Sequence, residues 1–75
     1  NNAIFHPTLK GIVDYDLTIY NKWGELLFHT TDQNYGWNGY YKGKLCPEDV
    51  YIYKITALTE DAKVLQKAGD VTLIR

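Results

Sequence analysis

This sequence predicts an all-β fold, an antiparallel sandwich of about seven strands. Three observations lead there. Apolar residues recur with a period of two along most of the chain, which sends alternate side chains to opposite faces of a sheet. Clusters of Gly, Asn and Asp punctuate those runs at short intervals, as turns between strands do. No stretch sustains a helical period.

In chain order, Tyr15, Leu17 and Ile19 alternate with Asp16, Thr18 and Tyr20, a strand with two unlike faces. Trp23-Gly24-Glu25 interrupts it, and Gly24 is free to take positive φ, so a tight reversal fits there. Leu26, Leu27 and Phe28 form the return strand, ending in Thr30 and Thr31, and the two segments read as a hairpin. From Asp32 to Gly39 the residues are turn formers gathered around Trp37. Tyr40 and Tyr41 make a short strand before Lys42-Gly43-Lys44. Pro47 suits the first position of a brief helical turn over Cys46–Asp49. The longest strand, Val50 to Leu58, is expected at the centre of the sheet. Tyr51, Tyr53, Ile55 and Ala57 share one face, and Val50, Ile52, Lys54, Thr56 and Leu58 share the other. Thr59 to Ala62 turns the chain, Lys63 to Lys67 returns, Gly69-Asp70 breaks it, and Val71 to Ile74 is the last strand.

With 75 residues the chain holds one domain, residues 1–75, and a domain of this size buries only about 60% of its unfolded surface. Its core must be dense, and 45% hydrophobic residues, with seven Tyr and two Trp, supply that density. The net charge of −1 and the absence of a basic stripe leave nothing to attract nucleic acid. The lone Cys46 rules out an internal disulfide. No apolar run approaches the roughly 18 residues of a membrane-spanning helix. The chain opens Asn1-Asn2 with no signal-peptide pattern and reads as a piece of a larger protein, in which any export signal would lie upstream.

Four segments occur together: Leu17-Thr18-Ile19-Tyr20-Asn21-Lys22-Trp23-Gly24-Glu25-Leu26, Trp37-Asn38-Gly39-Tyr40-Tyr41-Lys42-Gly43, Val50-Tyr51-Ile52-Tyr53 and Gly69-Asp70-Val71-Thr72-Leu73-Ile74-Arg75. In order and spacing they resemble the gliding-motility-associated C-terminal domain of Bacteroidetes, the type B sorting domain of the type IX secretion system. The resemblance runs from Phe5 to Arg75. It implies an immunoglobulin-like sandwich that acts as a sorting signal at the end of a large exported protein. The protein would pass through the periplasm to the cell surface or medium. Its partners would be the outer-membrane translocon and a co-expressed outer-membrane protein, with no cofactor and no small-molecule substrate. The chain departs from the family pattern at Lys22, where Arg is common, and at Asn38, where Asp is common. Pro47-Glu48-Asp49 replaces Pro-Asp-Gly, so Asp49 is expected to make a turn with left-handed geometry. The usual Pro-Asn-Gly-Asp-Gly opening is absent, either because the piece starts after it or because this is a divergent branch; if a strand was trimmed away with it, a sheet edge is left unpaired and open to homodimer formation.

Recognition is then the task. The expected determinants are Lys22, Trp23, Gly24 and Glu25; Asn38, Gly39, Lys42, Gly43 and Lys44; and the last strand with Val71, Thr72, Leu73, Ile74 and Arg75. Against translocon contact, the simpler reading of Trp23 and Trp37 is that both are buried plugs, and that of Gly24, Gly39 and Gly43 is that they serve turns. Tyr35, Trp37, Tyr40 and Tyr41 could stack on a sugar, the basis of an alternative reading as a carbohydrate-binding or adhesive module, though such residues more often fill a core and its rim. The sequence around Val50-Tyr51-Ile52-Tyr53 also looks similar to the immunoglobulin-like part of flagellar hook-capping proteins, a third, structural reading. His6 and His29 lack metal-ligand spacing. Asp32, Asn34 and Asn38 could offer oxygens to calcium, but Asx turns explain them better. Cys46 has no nearby catalytic base in sequence and reads as a small, partly buried thiol. No polar set converges on a nucleophile, metal or phosphate, so no enzyme is expected.

Overall fold

The computed structural model describes residues 5, 7 and 9–74. Six strands form among them: β1 Ile12–Tyr20, β2 Leu26–Thr30, β3 Tyr40–Tyr41, β4 Lys44–Leu45, β5 Asp49–Thr59 and β6 Val64–Leu73. Four make one sheet in the order β2-β1-β5-β6, and β3-β4 is a separate two-stranded ribbon. Every pairing is antiparallel. The fold is all-β as expected, with six strands among the described residues where about seven were expected.

Alternation places the core. On β1, Tyr15, Leu17 and Ile19 are buried, and on β5, Tyr51, Ile55 and Ala57 are buried beside them. Val71 and Leu73 of β6 complete that face. The chain between β2 and β5 covers it with Trp37, 0% exposed, and Cys46, 7% exposed. The Trp37 indole N–H donates to the Tyr40 carbonyl at 3.2 Å, and its ring meets Tyr51 edge-on at 5.0 Å. Phe5 exchanges two backbone hydrogen bonds with Trp37, at 3.1 and 2.8 Å, and its ring lies 4.8 Å from that of Tyr53. β5 is the central, longest strand, with the two faces that its alternation requires.

Three local expectations are corrected. Gly69-Asp70 does not break the chain: β6 runs unbroken from Val64 to Leu73, paired residue for residue with β5. Gly69 lies opposite Tyr53, and a Cβ there would come within 2.8 Å of the Tyr53 ring. The glycine is a seat for the ring, a use of strand glycine that looks like a breaker when only the sequence is read. Cys46–Asp49 makes no helical turn, because Asp49 already opens β5, and Asp49 is not among the residues with positive φ. Lys44–Leu45 forms a strand that was not expected. It folds back on β3 through Lys42 (φ 51°) and Gly43 (φ 78°), the two left-handed positions of a tight hairpin turn.

Candidate recognition surface

The turn between β1 and β2 is built by Asn21. Its side-chain oxygen accepts from the backbone N–H of Trp23 at 3.0 Å and of Glu25 at 2.9 Å, while its amide nitrogen donates to the Glu25 carboxylate at 3.0 Å. Gly24 completes the reversal at φ 87°. A short polar side chain that satisfies two backbone donors holds the turn without a core beneath it. The turn therefore projects Lys22 and Trp23 into solvent, and Trp23 is 79% exposed. The expectation that both tryptophans are buried is met by Trp37 and overturned by Trp23, which sits at the tip of a turn that no other element covers among the described residues.

Lys22 bridges two neighbours. Its ammonium lies 4.8 Å from the Trp23 ring centroid and 3.0 Å from a carboxylate oxygen of Asp49. The hydrogen bond from Lys22, and then that from the Val50 backbone N–H, hold the Asp49 carboxyl below its ordinary value. Glu25 reaches the other way and accepts from the Tyr41 hydroxyl at 3.3 Å, which ties the turn to the β3-β4 ribbon. Between turn, ribbon and the start of β5 lies a cleft of about 230 Å³, with Trp23, Tyr41, Cys46, Pro47 and Tyr51 in its walls.

β6 ends beside this cluster. Leu73 is the register partner of Asp49, and Thr72 that of Val50. Three segments far apart in sequence thus meet at one end of the sheet: Asn21–Glu25, the ribbon at Tyr41, and Val71–Ile74. Within the expected determinants the structure separates two kinds of residue. Lys22, Trp23, Glu25, Lys42, Lys44, Thr72 and Ile74 face solvent. Val71 and Leu73 are buried in the core, and Gly39 is buried with its carbonyl accepting from the Cys46 N–H at 2.8 Å. Asn38 caps the Tyr40 N–H at 3.0 Å, and Gly24 and Gly43 shape turns. Arg75 and His6 lie outside the described residues.

From residue 2 to residue 73, the sequence matches the family model described as the CHU_C type IX secretion signal domain. The chain belongs to the CHU_C family. No curated protein and no solved structure matches it. As a CHU_C domain it is a sorting signal of the C-terminal type, which engages the type IX secretion machinery and directs export towards the cell surface or the extracellular space. The family is not an enzymatic one.

The competing sites fare as follows. Trp37 lies inside the core, so Tyr35, Trp37, Tyr40 and Tyr41 do not form a common stacking platform. The Asp32 carboxylate accepts from the Asn34 N–H at 2.9 Å, an Asx turn, and Asn38 is engaged at Tyr40. His29 stands 3.0 Å from the Asp16 carboxylate on the sheet face away from the core. Cys46 is buried in the cleft wall. Sequence reasoning missed Asn21, Tyr41 and Asp49 as parts of this cluster. An Asn two residues before Trp23-Gly24 is a signal for the first; the other two depend on contacts across the fold.

Proposed function

We propose that the Trp23 end of the sheet is the surface read at the outer membrane, by the type IX translocon together with a dedicated, co-expressed outer-membrane partner protein. The exported protein reaches that surface from the periplasm. The domain performs no chemistry and needs no cofactor. The observation that carries the reading is the exposed Trp23, held by Asn21 and flanked by Lys22, at the end of the sheet where the last strand also finishes. An exposed aromatic ring beside a shallow, largely apolar cleft is how protein interfaces place their anchors. The fold proposed is an immunoglobulin-like sandwich, in which the Trp37 segment and the β3-β4 ribbon contribute the layer facing the four-stranded sheet. In isolation the domain pairs edge to edge with a second copy.

The test is a fluorescent reporter with an inner-membrane export signal and this domain at its C-terminus, expressed in a Bacteroidetes host with its partner protein. Deleting residues 69–75 removes Val71 and Leu73 from the core, so that fusion reports loss of folding. Lys22→Ala/Trp23→Ala leaves the core intact and reports recognition. The intact fusion is expected at the surface or in the medium and the double variant in the periplasm. Equal surface export of the two would remove the Trp23 end from the recognition surface, and periplasmic retention of both would remove support for this domain as a sufficient signal.

A further inference from the structure

Among the described residues, β6 is an edge strand of ten residues, paired on one side only. Its register with β5 has no irregularity over that length, and it contains no proline. The opposite edge, β2, has five residues and follows an irregularity at Ile19/Tyr20. Sheet proteins shield their edges with short strands, bulges, proline or charges, and of these β6 carries only the charges of Lys67 and Asp70. Val64 is 64% exposed and Leu65 44% exposed.

The direction of the free backbone groups follows from the turn. Thr59 N–H donates to the Lys63 carbonyl at 2.8 Å, so this pair faces inward. Because antiparallel ladders alternate, Leu65, Lys67, Gly69, Val71 and Leu73 also direct their backbone groups at β5. Val64, Gln66, Ala68, Asp70 and Thr72 direct theirs outward, where no described residue pairs with them. This row of donors and acceptors, from Val64 to Thr72, is roughly 27 Å long at the usual strand rise.

We propose that β6 pairs antiparallel with β6 of a second copy of this chain, about a two-fold axis at Ala68, to give one continuous eight-stranded sheet, twice the four of one copy. The charges of the strand select the register. A two-fold antiparallel pair sets one residue opposite its own copy. Centring on Lys67 or Asp70 would oppose like charges. Centring on Gly69 would leave Asp70 opposite the partner's Ala68, with no group to meet the carboxylate. Centring on Ala68 sets Gln66 opposite the partner's Asp70, an amide donor against a carboxylate. It also sets Val64 opposite Thr72, Leu65 opposite Val71, and Lys67 opposite Gly69, each pair occurring twice. All five outward residues then exchange both backbone groups, adding roughly ten hydrogen bonds. The dimer rests on edge self-association and not on export, and it leaves the Trp23 turn accessible.

The experiment is sedimentation of this 75-residue chain from micromolar to millimolar concentration, with amide hydrogen exchange at the upper end. The mass is expected to rise from 8.7 kDa towards twice that value. The amides of Val64, Gln66, Ala68, Asp70 and Thr72 are expected to become protected as it does. Gln66→Glu faces Asp70 with a second carboxylate and is expected to weaken the dimer about tenfold or more, about 1.4 kcal/mol. Adding Asp70→Lys to it restores an attractive pair and the dimer. Both positions are exposed on the sheet face away from the core, and circular dichroism checks that the variants fold. A monomer at every concentration overturns the proposal, and so does a dimer indifferent to Gln66→Glu or one that leaves the outward amides unprotected.

Discussion

The two tryptophans give the sharpest test of how this domain divides stability from recognition. Trp37 is 0% exposed and Trp23 is 79% exposed. Burying a ring that removes about 150–250 Å² from water is worth roughly 4–6 kcal/mol at about 25 cal/mol per Å². Large-to-small truncation of such a residue costs about 3–5 kcal/mol. A chain of 75 residues has a total stability of about 4–11 kcal/mol at the usual 0.05–0.15 kcal/mol per residue. Trp37→Ala therefore removes about a quarter or more of the stability, and unfolds the domain if that stability lies at the lower end. It also takes away the partner of the Tyr40 carbonyl and the edge-on contact with Tyr51. Trp23→Ala removes only the contact with Lys22 and is expected to change stability by less than about 0.5 kcal/mol. Urea unfolding followed by far-ultraviolet circular dichroism measures both. Export of the reporter should fail in both variants, in Trp37→Ala through unfolding and in Trp23→Ala with the fold intact. Similar unfolding midpoints for the two variants would refute the assignment of Trp37 to the core and Trp23 to the surface.

Other perturbations follow from particular contacts. Gly69→Ala drives the Tyr53 ring from its seat and off Phe5, with an expected loss of about 1 kcal/mol. In a Tyr53→Leu background the same change should be neutral or stabilising, and urea midpoints of the two pairs test this coupling. Lys42→Asn puts a residue tolerant of left-handed geometry at φ 51° and should stabilise by about 1 kcal/mol, a rise in Tm of about 4–8 °C by calorimetry. Acidification should weaken the domain through Asp49 and Asp61. Lys22 lowers the first carboxyl and Thr59 the second, from an ordinary value of 3.8. A carboxyl lowered by folding stabilises fully above its ordinary value, and that contribution is lost as pH falls through the lower, folded value. The urea midpoint should fall below pH 4, and Asp49→Asn should flatten part of the fall.

Much of the architecture was legible because strands write a period of two into the chain. The faces of β1 and β5, the hairpin at Gly24 and the central place of β5 all follow from that period and from turn chemistry. So did the resemblance to the type IX sorting domains, since its four segments are local strings with fixed spacing. What remained hidden depended on neighbours. Gly69 reads as a breaker until Tyr53 is seen lying over it. Lys44–Leu45 is too short and too polar to announce a strand, and pairs only because Lys42-Gly43 turns it onto Tyr40–Tyr41.

The sequence by itself determined the class of fold, most of the strand boundaries, the family and hence the task of export. It could not tell Trp23 from Trp37, since both stand beside turn residues and a ring's burial depends on which distant elements close over it. Only the tertiary structure decided that Phe5, Tyr51 and Tyr53 enclose the region around Trp37, while Asn21 holds Trp23 out in water. It also decided that the first turn, the ribbon and the last strand share one end of the sheet. Antiparallel register brings Asp49 beside both Lys22 and Leu73, and no local pattern encodes that meeting.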